Sequence, residues 1–445
     1  MNRLHTMLNN RKGFVFLAAI AAVLVFLSGG VTARATIIEG TVRCVPKASV
    51  NSACTAATTY PTIQAAVTAA YPYDIIYVGP GKYNESVTID ETGHPRDKLY
   101  LLGAQAGHDA RFRRTFPSQE SIVDATGTGN SAIIVEASFV TVDGFTAQNA
   151  TQGNSTGIDL KGSGGGSNFT PANAAKVVNN ILTNNSTGVS LNSEGFGANY
   201  GVVIEHNLFK NNNAGTPLSS GDGIFTSGTD VAFINENAFI GNKTSAIGIN
   251  NSGDVVITNN TSEKDATFVI FTGSCCSQFS NNRGEDFGAI GAFPGAADAA
   301  VALGPNNGDL TIRGNSLAEG NDPISHGIAF TTIFGTSGYN AWVNLEYNQI
   351  ARFPGDGIVA EPAMALDCSI LGNQVTDNGL DGIFIDGIPA NLNNTVFDNS
   401  AYGNHRFDCH DDTSGILTAG TANSWVNNTG TLRYPVGICS PGREY

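Results

Sequence analysis

Charge is scarce in this chain, and positive charge scarcer still. Only 14% of its 445 residues are charged, with 23 Lys and Arg against 38 Asp and Glu. A formal charge of −15 argues against nucleic acid and anionic membranes as partners. It also disfavours an acidic polysaccharide unless calcium or a local basic patch intervenes. No C-x-x-C and no paired His spacing occurs, so no zinc site is written into the chain. After residue 27 no apolar run is long enough to cross a membrane. Helical periodicity is missing from the repeated part of the chain.

What is present is an internal repeat between about Val177 and Asn399. An Asn recurs at 180, 207, 237, 315, 348 and 373, with weaker copies near Asn260, Asn282 and Asn394. Three residues before the strong copies stand Val177, Ile204, Ile234, Ile312, Leu345 and Ile370. Two residues after them stand Leu182, Phe209, Phe239, Leu317, Ile350 and Val375. A Gly-apolar phrase follows at Gly188, Gly223, Gly248, Gly327, Gly357 and Gly382. Short alternating runs separated by Gly and Asn read as strands joined by turns with positive φ. No copy can form its own core, so the copies must stack, strand beside equivalent strand, into a parallel β-helix of about ten coils. A sandwich or propeller would instead show hairpin turns or roughly forty-residue blades.

Arg3, Arg11 and Lys12 precede an apolar run at 14–27 and a small-residue site at Ala33-Arg34-Ala35, the pattern of a secretion signal. Cleavage leaves a mature chain from Thr36, exported and without stable membrane insertion, and moves the formal charge from −15 to −19 by removing four basic residues and no acids. The expected divisions are a signal over 1–35, an N-terminal cap and first coil over 36–110, β-helix repeats over 111–403 and a C-terminal segment over 404–445. Thr62 to Tyr71 reads as a short amphipathic helix, with Ile63, Ala66, Val67 and Ala70 on one face, laid over the open first coil. Of seven cysteines in an exported chain, Cys44 with Cys54 and Cys409 with Cys439 are the expected disulfides. Cys368 lies three coils from Cys275 and Cys276, roughly 14 Å, which is beyond disulfide reach, so a buried free thiol is expected there. The pairing of Cys275 and Cys276 stays open.

The phrase TIQAAV…DIIYVGPGKYNESV (62–87) resembles the N-terminal cap and first coil of secreted right-handed parallel β-helix proteins of the pectin lyase-like superfamily. The Asn-anchored coils match the parallel β-helix repeat of that group, and the tail NHRFDCHDDTSG…GTANSWVNNTG…GIC (404–439) is similar to the closing segment of many secreted bacterial β-helix proteins of no assigned function. The resemblance implies the fold over nearly all the mature chain. It implies no single activity, because that scaffold carries lyases, hydrolases, esterases, epimerases and adhesins. The catalytic phrases of the group are incomplete here: Gly284-Glu285-Asp286-Phe287-Gly288 echoes the esterases, Ser325-His326-Gly327 the polygalacturonases and Asp322-Pro323 the epimerases. Lysine is scarce in these coils, and Arg313 and Arg352 are the only basic candidates for a lyase base near the later acids.

The residue before each Gly-apolar phrase is Thr187, Asp222, Ile247, His326, Asp356 and Asp381. His326, Asp356 and Asp381 thus fall in one column on consecutive coils, about 4.8 Å apart per step. With Asp222 they are the candidate catalytic residues: neighbouring acids push one carboxyl upward, as general acid–base chemistry needs, and Asp356 and Asp381 could hold calcium. The same residues are also ordinary turn chemistry, and burial in turn hydrogen bonds would argue against a site. A second outward column holds Glu205, Asn235, Thr258, Arg313 and Glu346, while Phe225, Phe384 and Asp386 flank the Gly-apolar strands. Glu205, Arg313, Glu346, Phe225 and Phe384 are the candidate substrate contacts, rings and polar groups together suiting a sugar chain. Asp408, His410, Asp411 and Asp412 form the densest ionisable cluster of the tail, a metal site or a solvated loop. The expected function is binding, with or without processing, of an extracellular polysaccharide or cell-surface glycan. The other reading is a non-enzymatic adhesion or structural β-helix.

Overall fold

A computed structural model of the chain describes residues 40–45, 54–112, 114, 116–161, 172–192, 199–214, 221–288, 298–323, 325–333, 338–387 and 391–441. The expected secretion signal lies outside them. Among the described residues, three long parallel sheets run the length of the chain, visited in turn by every coil, with 14, 12 and 13 strands in that order. They are called sheets 1, 2 and 3 below. This is the parallel β-helix that the pectin lyase-like resemblance implies. Sheet 1 holds more strands than the expected ten or so coils, because its earliest strands, Val42–Val45, Ile75–Val78 and Tyr100–Leu102, carry no Asn anchor.

Alternation decides what is buried. In sheet 1, Val177, Ile204, Ile234 and Ile257 stack in register and are wholly buried, as are Val189, Ile224, Ile247 and Val269 in sheet 3. The turn from sheet 1 to sheet 2 is an asparagine ladder from Asn180 through 207, 237, 260, 282, 315, 348, 373 and 399 to Asn428. Each backbone N–H and side-chain Nδ2 donates to Oδ1 of the next rung, at 2.8 and 3.3 Å from Asn180 to Asn207. The residue before a rung takes positive φ, as at Asn179, His206 and Tyr347, which is why Asn and Gly crowd these turns. Asn394, expected as a weak copy, belongs to a separate ladder with Asn423; the rung of its coil is Asn399. Two shorter ladders between sheets 2 and 3 end in carboxylates, Asn242 donating to Asp265 and Asn404 to Asp408. A final rung needs only to accept, and Asp does that.

The Gly of the Gly-apolar phrase is required by contact. A Cβ on Gly188 would lie 2.4 Å from the Gly223 carbonyl oxygen, and one on Gly357 would lie 2.1 Å from Val375 Cγ1. The expected phrase at Gly248 is misregistered: Phe225 pairs with Gly248 and Ile224 with Ile247, so Ser245, not Ile247, stands beside Asp222. A slip of two residues preserves the alternation and is invisible in the pattern.

The N-terminal helix spans Ile63–Thr68, with Ile63, Ala66, Val67 and Ala70 buried and Thr62 capping the Ala65 N–H at 3.1 Å. Gln64 does the work of a missing neighbour strand: its Oε1 accepts the Thr88 N–H (2.7 Å) and its Nε2 donates to the Thr88 carbonyl (3.1 Å). The expected boundary at 110 falls inside a strap that crosses several turns. There the Ala110 N–H meets the His206 carbonyl, Arg111 reaches Glu236, and buried Arg114 pairs with Glu120. Cys44–Cys54 and Cys409–Cys439 are disulfides, and Cys368 is a buried free thiol, as expected.

Candidate functional site

His326, Asp356 and Asp381 do share one column on consecutive coils, as Ile328, Ile358 and Ile383 pair in register just beyond them. Their side chains are turned into the turns. His326 Nδ1 accepts the Asp356 N–H (2.9 Å), Asp356 Oδ1 accepts the Asp381 N–H (2.8 Å), and Asp381 Oδ1 accepts the Phe407 N–H (2.9 Å). His326 Nδ1 also lies 3.3 Å from Asp356 Oδ2. One nitrogen cannot both accept and donate, and the shorter backbone contact makes it the acceptor, with the proton on Nε2. Asp356 and Asp381 are buried at 3% and 0% exposure. Asp222 sits in the same column but four coils earlier, roughly 19 Å from His326 at the strand spacing. It is buried against Ser245 Oγ (2.5 Å), and burial pushes its carboxyl up to about 7. These four residues therefore do not converge on one ligand position.

The next coil supplies what the sequence reading missed. Arg406 forks onto Asp381, its Nε at 2.8 Å from Oδ1, and His410 Nδ1 lies 2.7 Å from Oδ2. The far nitrogen of His410, Nε2, meets Asp412 Oδ1 at 2.9 Å. Burial works to raise the Asp381 carboxyl, but hydrogen bonds from His410 and Arg406, and their charge, hold it below the usual carboxylate range. Burial works to lower His410, but Asp381 and Asp412 lift it above the ordinary imidazole value. The expectation of an acid raised by its neighbour is thus reversed at Asp381, because Arg406 and His410 arrive from the following coil. They also occupy the oxygens that calcium would need.

Around this ionic chain stands a wall of rings. His410 pairs with Phe384 in sheet 3 and Tyr434 pairs with His410, so the three point outward in one column. Phe384 stacks on His410 with centroids 4.6 Å apart and an interplanar angle of 22°. Tyr434 meets the same imidazole edge-on at 5.7 Å, Phe407 approaches it at 4.8 Å, and Arg406 lies 5.2 Å over the Phe384 ring. Arg406, Asp412 and Tyr434 are exposed; Phe384 and Phe407 are half-buried. The tail cluster is sorted by alternation. Asp408 accepts the Thr431 and Leu432 N–H groups, and Asp411 accepts Trp425 Nε1 (2.7 Å), so both are structural; Asp412 is exposed, whereas His410, on the outer face of sheet 3, is itself buried among the neighbouring rings at 6% exposure. The one-coil distance from Phe384 to His410 was the signal that could have linked them.

The expected substrate contacts divide between two faces. Glu205, Arg313 and Glu346 lie on sheet 1, where Arg313 pairs with Glu346 (3.4 Å) and covers Tyr347, and Glu205 is four coils away. Phe225 and Phe384 lie on sheet 3, six coils apart. Between them that face carries Ile270, Ala302, Ala329 and Val359, all buried. No single groove unites the five; only Phe384 belongs to the ring wall.

Residues 108–294 match the family model described as periplasmic copper-binding protein (NosD). No curated protein matches the chain in sequence. Among solved structures, the chain is similar to the alginate lyase from Paenibacillus sp. str. FPU-7, at 13% identity over 73% of this chain and 94% of that one, with a TM-score of 0.44. It is similar to the A-module of the Azotobacter vinelandii mannuronan C-5 epimerase AlgE6, at 17% identity over 85% and 92%, with a TM-score of 0.44. A third is the DFA-IIIase from Arthrobacter chlorophenolicus A6 without its lid, at 15% identity over 68% and 84%, with a TM-score of 0.45. Among the described residues, no group of three or more His, Cys, Asp or Glu is disposed to hold a metal, so the donor set of a copper cage is not assembled there. Nor, among those residues, is any helix long and apolar enough to cross a membrane.

Proposed function

We propose that this chain is an exported glycan-binding β-helix whose ligand lies against the outer face of sheet 3 at its last coils. The observation that carries this is exposed Tyr434 and half-buried Phe384, both packed on buried His410, beside exposed Arg406 and Asp412. Sugar rings present flat apolar faces edged by hydroxyls; aromatic rings cover the faces, while a guanidinium and a carboxylate bond the edges. Arg406 also gives an otherwise acidic chain a local cation for an acidic sugar. Binding is favoured over turnover because Asp356 and Asp381 are buried in hydrogen bonds and both nitrogens of His410 are engaged. A general acid or base must present its proton site to the substrate, and these do not. The two disulfides suit the oxidising compartment that export implies.

The test is a screen of the mature chain from Thr36 against immobilised neutral and acidic glycans, with soluble products sought by mass spectrometry. Binding without products is expected, weakened about tenfold by Tyr434→Ala, the equivalent of about 1.4 kcal/mol. Released oligosaccharides, or binding untouched by Tyr434→Ala and Phe384→Ala alike, would overturn the reading.

A further inference from the structure

Cys275 and Cys276 stand apart from the ring wall, on the turn that leads from sheet 3 into sheet 1. Both are exposed free thiols, and their sulfurs are 3.0 Å apart. The turn that carries them is pinned from both sides. The Cys275 N–H donates to the Ser252 carbonyl (3.2 Å) on the preceding coil, and the Cys276 N–H to the Gly308 carbonyl (3.1 Å) on the following one. Ser277 Oγ closes the turn on the Cys275 carbonyl at 3.0 Å, and Cys276 takes φ of 59°. Neither sulfur has another cysteine to meet. Cys368 is buried, its sulfur against the Asn340 and Leu366 carbonyls, and the other four cysteines are paired.

We propose that Cys275 and Cys276 are a reversible dithiol–disulfide site, closing on each other by exchange with an external disulfide. The partner is any small disulfide, or a disulfide-bearing protein, that reaches this exposed ridge. In the first step the Cys275 thiolate attacks one sulfur of the partner, forming a mixed disulfide and releasing one partner thiolate. Cys276 then loses its proton to solvent and attacks the Cys275 sulfur, forming the ring disulfide and expelling the second partner thiolate. The protein dithiol is oxidised by two electrons and the partner disulfide is reduced to two thiols. Cys276 acts second: burial, the neighbouring Cys275 sulfur and the charges of Asp254 and Asp309 push its thiol up to about 12. Adjacent Cα atoms lie about 3.8 Å apart across a trans peptide, below the usual disulfide range, so closure brings the two sulfurs together and twists the peptide between them while the flanking backbone bonds hold the turn. Unlike the disulfide sulfurs of Cys44, Cys409 and Cys439, which belong to buried residues, this pair is open to reagents from outside.

The test is peptide mass spectrometry of the folded mature chain, alkylated before and after mild reduction, then again after treatment with oxidised glutathione. The peptide bearing Cys275 and Cys276 is expected to take two alkyl groups after mild reduction. After oxidised glutathione it takes none and is two hydrogens lighter, while Cys44–Cys54 and Cys409–Cys439 stay closed throughout. In Cys276→Ser the reaction is expected to stop at glutathione attached to Cys275. Two alkylatable thiols persisting after oxidised glutathione would overturn the proposal. So would a stable glutathione adduct in the unaltered chain, or a disulfide-linked dimer through either cysteine.

Discussion

Replacing Asn348 by Ala removes one rung from the middle of the longest ladder. Asn348 is wholly buried, and its Oδ1 accepts the Asn315 N–H (3.0 Å) and Asn315 Nδ2 (2.9 Å). Its own Nδ2 donates to the Ile312 carbonyl and to Asn373 Oδ1, each at 2.9 Å. Four hydrogen bonds disappear together. Asn315 Nδ2 keeps its bond to the Phe279 carbonyl, and Asn373 Oδ1 keeps the backbone N–H of residue 348, so neither is stranded. The Asn315 N–H loses its acceptor inside the protein. An orphaned buried donor costs about 1–3 kcal/mol and each of the other three lost bonds about 0.5–1.5, so the expected loss is roughly 2.5–7.5 kcal/mol. Asn348→Asp keeps the acceptor for Asn315 but turns a carboxylate oxygen onto Asn373 Oδ1, and is expected to be no better than Ala. The assay is urea unfolding followed by circular dichroism, with Gln349→Ala, an exposed position on the next strand, as the control. Amide exchange should quicken most in the coils holding Asn315 and Asn373. A midpoint shift no larger than that of Gln349→Ala would refute the idea that the ladder stabilises the coils.

Two further predictions follow from burial. Asp222 and Asp265 are both pushed up to about 7 by burial, against about 4 in an unfolded chain. Between those values the folded chain holds protons that the unfolded chain has lost, so stability falls as pH rises from about 4 to about 7 and levels off above it. Thermal midpoints at pH 5 and pH 8 should therefore differ more for the natural chain than for the Asp222→Asn, Asp265→Asn double variant; equal differences would refute the assignment. Gly357→Ala should cost about 1–3 kcal/mol or more, because its Cβ would overlap Val375 and lie 2.8 Å from the Gly382 carbonyl oxygen, whereas Gly308→Ala meets nothing closer than 3.8 Å and should be nearly silent in the same urea assay.

The fold was legible because stacking imposes one requirement on every coil. Apolar residues at fixed offsets from Asn180, Asn207 or Asn348 can only be columns of a shared core. The cap helix and both disulfides were equally plain, each resting on local pattern. Register was less so: at Gly248 a two-residue slip leaves inward and outward residues unchanged, and at Asn394 two asparagines five residues apart both suit a turn. The site was legible in part. His326, Asp356 and Asp381 do align, but alternation says nothing of whether a turn carboxylate faces solvent or the next coil's backbone. Arg406 and His410 went unconnected to Asp381 because the segment at 403–408 breaks the repeat. Without that link, the outward residues of sheets 1 and 3 looked like one groove.

The proposed glycan position on sheet 3 can be seen directly. The most direct measurement is a crystal structure of the mature chain with an oligosaccharide retained in the glycan screen. A sugar ring lying on Phe384 or Tyr434, with Arg406 or Asp412 at its edge, is the predicted result. A ligand seated instead on sheet 1 beside Arg313 and Glu346, or on the outer face of sheet 2, would contradict it.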